Sequence, residues 1–590
     1  MNSIKCIKSV LKDIKLYSIS IDTFELEIQY TIKKYKGDVT LIIFPLLKIF
    51  KKPLKEIGQE LGNNIKKKLS FIKSFNVING FLNLEFKDEY YLELLLKMKQ
   101  VLFNPINKKK HRPLLMIEYS SPNTNKPLHL GHIRNCILGQ SMSNIFETLG
   151  YKVIRTQLIN DRGIHICKSM VAWQKLGKSK TPKNTNIKGD HFVGKYYVEF
   201  ENLKRKEIER LLSLGYNYSE AEKKSTIMQS VRETLRKWEN GDNYTIEIWN
   251  KLNNWVYEGF EETYRRLGIT FDEVQYESNT YILGKKIVQE GIQKGIFYKK
   301  DDGSVWIDFK NQTLNRKLLL RSDGTSVYLT QDIGTAVERF RKYPIDKLIY
   351  TVGEEQNYHF KILFIILNRL GYPWYKKLFH LSYGMVNLPY GKMKSREGTV
   401  VDADDLMSKM HNTAMSITKK LGKLKKCSKQ EQYQLFEKIG IAALKYYILK
   451  VNPKKSIIFD PMESIDFKGC TGTYIQYTYA RICSLKIKSM QIKKKYDISI
   501  SLNMYERTII KMLEQYISII KSVANNLDPS ILANYIYNLA KKFNDFYQNI
   551  NVIYEINENK KYFRIKLSSI VGYILKNGME LLGISMLERM

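Results

Sequence analysis

The stretch from Leu114 to Ile159 constrains the fold of this 590-residue chain more than any other part. An apolar run, Leu114-Leu-Met-Ile-Glu-Tyr119, reads as a strand buried on both faces. A loop follows, Ser121-Pro-Asn-Thr-Asn-Lys-Pro-Leu-His-Leu-Gly-His132. Helical periodicity then runs from Gly131 to Leu149 and stops at Gly150, before a second apolar strand from Lys152 to Ile159. Strand, loop, helix and strand in that order make the unit of a doubly wound, Rossmann-type nucleotide-binding sheet. His129 and His132 fall where a helix N-terminus offers unpaired N–H groups and the positive end of its dipole, which favours an anionic phosphate. Taken alone, histidines at a helix start are equally at home as caps or surface residues.

A second pattern lies far downstream. Gly391-Lys-Met-Lys-Ser-Arg-Glu-Gly398 is a glycine-bracketed cationic loop, placed in the opposite half of the same domain. Such a loop can close over a triphosphate; standing alone it reads as a solvated basic turn. The formal net charge is +37, which suits a polyanionic partner, although lysine is abundant everywhere in the chain. The 40 Tyr and 25 Phe add stacking surfaces among the cations, though most belong in a core. The six cysteines are scattered without a C-x-x-C pair, so neither a zinc site nor a disulfide framework is expected, and a reducing cytoplasm fits. No apolar run reaches the roughly 20 residues of a membrane span, and no signal-peptide core is expected at the N-terminus.

The chain divides into four blocks. Residues 1–110 form a small α+β domain, with strands at Leu41–Leu47 and Gly80–Phe86 and an amphipathic helix from Pro53 to Lys68. Residues 111–410 form the Rossmann-type α/β domain with insertions, 411–470 a helical connection, and 471–590 an all-α domain. The polar stretch Lys178–Lys188 reads as a mobile surface loop. Gly189-Asp-His-Phe-Val-Gly-Lys195 matches the P-loop spacing, but Tyr196 stands where Mg²⁺ chemistry needs Ser or Thr, and Asp190 repels phosphate.

Taken together, the two signatures resemble those of class I aminoacyl-tRNA synthetases, and the surrounding words resemble the arginyl-tRNA synthetase family. They are Ile117–Asn123, Lys126, His129–His132, Gly189–Tyr197, Tyr328-Leu-Thr-Gln-Asp332 and Gly353-Glu-Glu-Gln356. Gly391–Gly398, Tyr474–Arg481 and Lys576–Met590 complete the set, in order along the chain. The resemblance implies arginine activation by ATP, with Mg²⁺ accompanying the nucleotide, then transfer to the 2′-hydroxyl of the terminal adenosine of tRNA(Arg). It implies a cytoplasmic monomer with no membrane partner, an N-terminal domain touching the tRNA elbow and a helical anticodon-binding domain.

The site residues follow from the same resemblance. His129, Gly131, His132, Lys392 and Met393 would bind ATP, and His129, His132, Lys126, Lys392 and Lys394 would carry the chemistry. Neither step needs a protein nucleophile; positioning and cations facing the phosphate charge suffice. The usual second lysine of the downstream signature is replaced by Ser395, and Lys126, Lys394 and Arg396 are the alternatives for its role. A guanidinium substrate needs a carboxylate and planar acceptors. Asp332 and Tyr328 are four residues apart near a helix start, where Asp332 equally suits the N-cap of a helix Ile333–Arg341. Ser121, Asn123, His132 and Gln356 complete the arginine set, while Glu118 has a substrate contact or a structural role open to it. Tyr474, Tyr477 and Arg481, with Tyr479, are candidates for stacking on tRNA bases or for packing a helix face.

Three other readings share parts of the pattern. A cysteinyl-type synthetase carries zinc-binding cysteines that are missing here. A small-metabolite adenylyltransferase needs no long helical tail or basic surface. A non-catalytic RNA binder predicts a damaged first signature, whereas His129, Gly131 and His132 are intact.

Overall fold

The computed structural model describes residues 3–20, 26–32, 34–103, 112–177, 179–309, 315–387, 389, 401–420, 428–488 and 500–590. At its centre is a five-stranded sheet with every neighbouring pair parallel. Across the sheet the order is Leu378–Tyr383, Lys347–Gly353, Leu114–Glu118, Lys152–Ile159 and Glu273–Tyr276. The chain therefore reverses its winding between Leu114–Glu118 and Lys347–Gly353, the place where open α/β sheets bind ligands beyond their carboxyl ends. All five residues of Leu114–Glu118 are buried, as a strand covered on both faces requires.

The helix Leu130–Thr148 crosses behind this switch point. It lacks an apolar stripe because it is buried nearly all round, polar residues included. At the end of the central strand, the buried Glu118 carboxylate pairs with Arg339 of the helix Tyr328–Lys342, and Arg339 also donates to Gln275 of the edge strand at 2.7 Å. Of the two roles open to Glu118, this is the structural one: it ties the first strand to a covering helix.

The N-terminal domain is a four-stranded antiparallel sheet, Ile28–Tyr30, Val39–Ile42, Phe81–Phe86 and Ile72–Ile78, backed by the helix Leu54–Lys68. The strand expected at Leu41–Leu47 ends at Ile42, and Phe44–Phe50 is helical. Pro45 sits in the first turn, where its missing N–H costs nothing. The expected loop at Lys178–Lys188 contains a short helix, Pro182–Thr185, capped by Thr181, and Lys188 is tied to Asp404 at 2.6 Å. The P-loop-like words Gly189–Lys195 open the helix Gly189–Ser213; a side chain at Gly189 would strike the Trp255 carbonyl, so that glycine serves close packing.

The C-terminal half packs the helices Lys429–Leu449, Gly472–Lys488, Met504–Asn526, Ser530–Asn549 and Glu558–Leu581. No described helix is long and apolar enough to cross a membrane. The N-terminal domain docks on Met504–Asn526, where Glu514 accepts from the Ser3 N–H at 2.6 Å and Arg507 pairs with Asp88 at 2.8 Å. On the same helix the fully buried Glu506 holds Arg564 at 2.8 Å while its second oxygen caps the Asn503 N–H at 2.9 Å. Glu506→Ala leaves the buried Arg564 guanidinium to Glu555 and the Asn551 carbonyl alone and uncaps the Asn503 N–H, and should cost about 2–3 kcal/mol in chemical denaturation followed by circular dichroism. A loss below about 1 kcal/mol, the scale of a surface pair, would show that this bridge does not hold the helices together.

Candidate active site

His129 is the N-cap of Leu130–Thr148, and the two signature histidines cap that helix jointly. The Gly131 N–H donates to His129 Nδ1 at 3.1 Å, and the His129 N–H donates to His132 Nδ1 at 3.1 Å. The rings lie 3.8 Å apart. Because both Nδ1 atoms accept from backbone, each neutral ring carries its proton on Nε2. Burial, then Lys126, pushes His129 down to about 4, and burial with His129 and Lys126 holds His132 well below the usual histidine range. Burial likewise lowers the half-buried Lys126. The pair are therefore uncharged hydrogen-bond donors at neutral pH, neutral through burial and aimed by the capping bonds.

Asn135, one turn further on, gathers the carboxyl ends of three strands. Its Oδ1 accepts from the Ser120 N–H at 2.6 Å, and its Nδ2 donates to the Thr351 carbonyl at 2.7 Å and the Tyr383 hydroxyl at 3.0 Å. Ser120 is held at φ +62°, a left-handed conformation that costs a non-glycine residue about 1 kcal/mol or more. Its hydroxyl also bonds Tyr264 at 2.7 Å. This turn places Ser121 at a cavity of about 390 Å³, which Gly131, His129, His132 and Gln356 also line. Asn123 lies just outside, bridged to Asn160.

A second, acidic cluster adjoins it. Asp332 lies inside Tyr328–Lys342, whose N-cap is Val327, so the N-cap role is excluded. Its carboxylate takes His359 Nε2 at 2.6 Å. Tyr328, exposed one turn earlier, feels the charge of Glu277 and Asp332. Glu277 is buried just past the edge strand Glu273–Tyr276. Burial pushes its carboxyl up to about 7; Arg162 and Gln331 oppose the rise, and Asp161 and Asp332 add to it. Glu277, His359 and Asn135 were not anticipated from sequence. The available signal for Glu277 was an acid at the carboxyl end of a strand; for the other two there was none.

Lys392, Met393, Lys394, Ser395 and Arg396 lie outside the described residues. The chain beyond them returns to the first signature: the Leu130 N–H donates to the Val401 carbonyl at 3.1 Å and the Ala403 N–H to that of Leu128 at 2.9 Å. Among the described residues one group has metal-ligand spacing, Asp190, His191 and Asp404, and the Lys188 ammonium already bridges its two carboxylates.

On Gly472–Lys488, the Arg481 guanidinium sits 5.1 Å from the Tyr477 ring and 4.9 Å from the Tyr547 ring, held by Asn544. These rings, Lys488 and Arg589 line a cavity of about 280 Å³. Tyr474 packs elsewhere, on Tyr537 at 5.4 Å. Tyr479 is buried, which removes it from the candidates for base stacking.

Comparison with known proteins places these features in one lineage. Residues 93–461 match the model for tRNA synthetases class I (R), catalytic domain, residues 475–590 the DALR anticodon binding domain, and residues 2–86 the arginyl tRNA synthetase N terminal domain. The chain is 48% identical to the arginine–tRNA ligase of Bacteroides fragilis, covering 99% of each. It is 48% identical to that of Flavobacterium psychrophilum, covering 98% of this chain and 97% of the relative. The fold resembles Thermus thermophilus arginyl-tRNA synthetase, with a TM-score of 0.79 at 23% identity over 99% of both chains. It also resembles the Plasmodium falciparum enzyme, with a TM-score of 0.73 at 22% identity over 100% of both. With matched domains in sequence from end to end and half-identical relatives along its whole length, the chain belongs to the arginyl-tRNA synthetase family of class I.

Proposed function

We propose that this arginine–tRNA ligase divides its chemistry between the histidine-headed cavity and the acidic cluster beside it. The observation that carries the reading is an acidic cluster, buried Glu277 with half-buried Asp332, beside a cavity headed by two uncharged histidines. ATP lies under the N-terminus of Leu130–Thr148, with its phosphates toward His129, Gly131 and His132. L-arginine lies with its guanidinium between Asp332 and Glu277 and its amino and carboxylate ends toward Ser121, Asn123, His132 and Gln356, with Tyr328 covering it. Its carboxylate attacks the α-phosphorus and pyrophosphate leaves; the 2′-hydroxyl of the tRNA's terminal adenosine then takes the arginyl group.

The residues stabilise charge rather than form bonds to substrate. The Nε2–H of each histidine donates to phosphate oxygen, where charge grows in the transition state. Lys126, Lys392 and Lys394 supply cations. Met393 sits in the downstream signature beside the nucleotide. Mg²⁺ comes with the ATP: Glu355 offers a hard oxygen donor in the cavity wall and the phosphates offer the rest. Tyr477 and Arg481 offer one stacked face to a tRNA base at the C-terminal cavity, and Tyr474, which packs on Tyr537, offers a separate tRNA contact. The four-block division, the monomeric state and a cytoplasmic location complete the reading.

Arginine-dependent ATP–pyrophosphate exchange, with and without tRNA(Arg), tests the whole. Exchange with neither arginine nor tRNA dependence, from folded protein, would overturn it. His132→Ala should lower the rate constant of adenylate formation about 10²–10³-fold, the effect of removing one transition-state donor. Asp332→Asn should raise arginine KM about 10–100-fold, from the roughly 1.5–3 kcal/mol of a charge-assisted hydrogen bond; an unchanged KM would remove Asp332 from the pocket.

The raised carboxyl of Glu277 sets a pH dependence. Above about 7 it is ionised and pairs with the guanidinium; below, it is protonated and cannot. Arginine KM should therefore rise as pH falls from about 8 to about 6. Glu277→Gln should raise KM throughout and flatten that slope, and a slope preserved in the variant would assign it to another group.

A further inference from the structure

Arg134, two residues past His132, is fully buried and meets no carboxylate within ion-pair distance among the described residues. Its guanidinium is instead spread over four backbone carbonyls. Nη1 donates to Gly384 at 2.7 Å and Met385 at 3.1 Å; Nη2 donates to Pro453 at 2.9 Å and Lys455 at 2.8 Å. Burial lowers the group to about 10, so it stays charged at neutral pH.

The four carbonyls belong to two segments that run side by side here, the Gly384 N–H donating to the Pro453 carbonyl at 2.9 Å and the Ile457 N–H to that of Met385 at 2.8 Å. Gly384 and Met385 leave the edge strand Leu378–Tyr383 and form a wall of the nucleotide cavity opposite the histidines. Pro453 and Lys455 follow the helix Lys429–Leu449, and Asn452 beside them is bonded to Asp528 of the C-terminal helices at 2.6 Å. Just beyond the guanidinium the segments join as a short parallel ladder, Val386–Asn387 beside Ile457–Ile458. The approach is close enough that a Cβ on Gly384 would lie 2.8 Å from backbone atoms of residues 455 and 456. A lysine offers one compact ammonium and cannot span both pairs of carbonyls as a planar fork does.

We propose that Arg134 is a positioning residue for ATP: it sets the distance between the signature histidines and the Gly384–Met385 wall by clamping that wall to the 453–455 segment. It touches no substrate, and the proposal rests on the nucleotide occupying this cavity. A residue that merely stabilises the fold would lower the fraction of active enzyme and leave each KM alone. A clamp on one wall changes the fit of one substrate.

The test is steady-state aminoacylation by the full chain, with KM for ATP, arginine and tRNA measured separately and active sites titrated. Arg134→Lys should raise ATP KM about tenfold or more and leave arginine KM within about twofold. Gly384→Ala pushes on the same wall from the other side without altering charge, and should give the same split if Arg134→Lys does not fold. ATP KM unchanged in either folded variant, with only the active fraction reduced, overturns the proposal. Wild-type protein inactive with arginine would instead overturn the reading of the pocket.

Discussion

The active-site end of this molecule depends on one constraint: a helix buried nearly all round carries polar side chains that must find partners. Leu130–Thr148 takes Arg134, Asn135, Gln140, Ser141 and Ser143 into the interior. A buried donor left without an acceptor costs about 1–3 kcal/mol, so the positions of these groups select the arrangement of everything around them. Asn135 is satisfied only when the ends of three strands meet at its amide, and Gln140 accepts from the Tyr119 hydroxyl at 3.1 Å. The left-handed turn at Ser120 is held by the same contacts. Apolar packing alone would tolerate small slips of this helix along the sheet; the polar network does not.

Two electrostatic environments follow from that arrangement. At the helix start, burial and a neighbouring lysine keep the histidines neutral, so they present donors without adding positive charge before the phosphates arrive. Across the sheet, burial and neighbouring acids raise Glu277, and in the proposed reading a cationic substrate would offset that burial by pairing with it. Buried anionic groups facing a guanidinium reject neutral analogues strongly, because a neutral side chain leaves them unpaired. No separate editing domain is needed for such a substrate.

The domains are joined by charged contacts of the same kind. The N-terminal sheet is tied to Met504–Asn526 through Asp38, Asp88 and Glu514. The helix Ala403–Lys420 is tied to the catalytic half through Lys188, His191 and Arg266, which donates to the Asp404 carbonyl at 3.2 Å and also pairs with Glu437 of Lys429–Leu449 at 2.6 Å. Directional pairs fix orientation where apolar surfaces alone would allow sliding.

Much of this was legible in sequence. Strand, loop, helix and strand around His129, the helical C-terminus and the helix Leu54–Lys68 follow from local periodicity and punctuation, which act over a few residues. Family words likewise pointed to Ser121, His129, His132 and Gln356, which the fold brings around one cavity. Local rules failed where tertiary packing decided: the strand expected at Leu41–Leu47 ends at Ile42 and gives way to the helix Phe44–Phe50, and Asp332, for which an N-cap was the alternative role, lies one turn inside its helix. Glu277, His359 and Asn135 gain their roles from contacts between residues far apart in the chain, and apart from the place of Glu277 at a strand's carboxyl end no pattern in the sequence marks them. Sequence by itself determined the elements and the signature chemistry, because periodicity, capping and glycine placement are local. Only the tertiary structure decided which acids are buried together, which tautomer the histidines hold and which carbonyls Arg134 gathers, because dielectric and partner geometry exist only once the strands and helices have met.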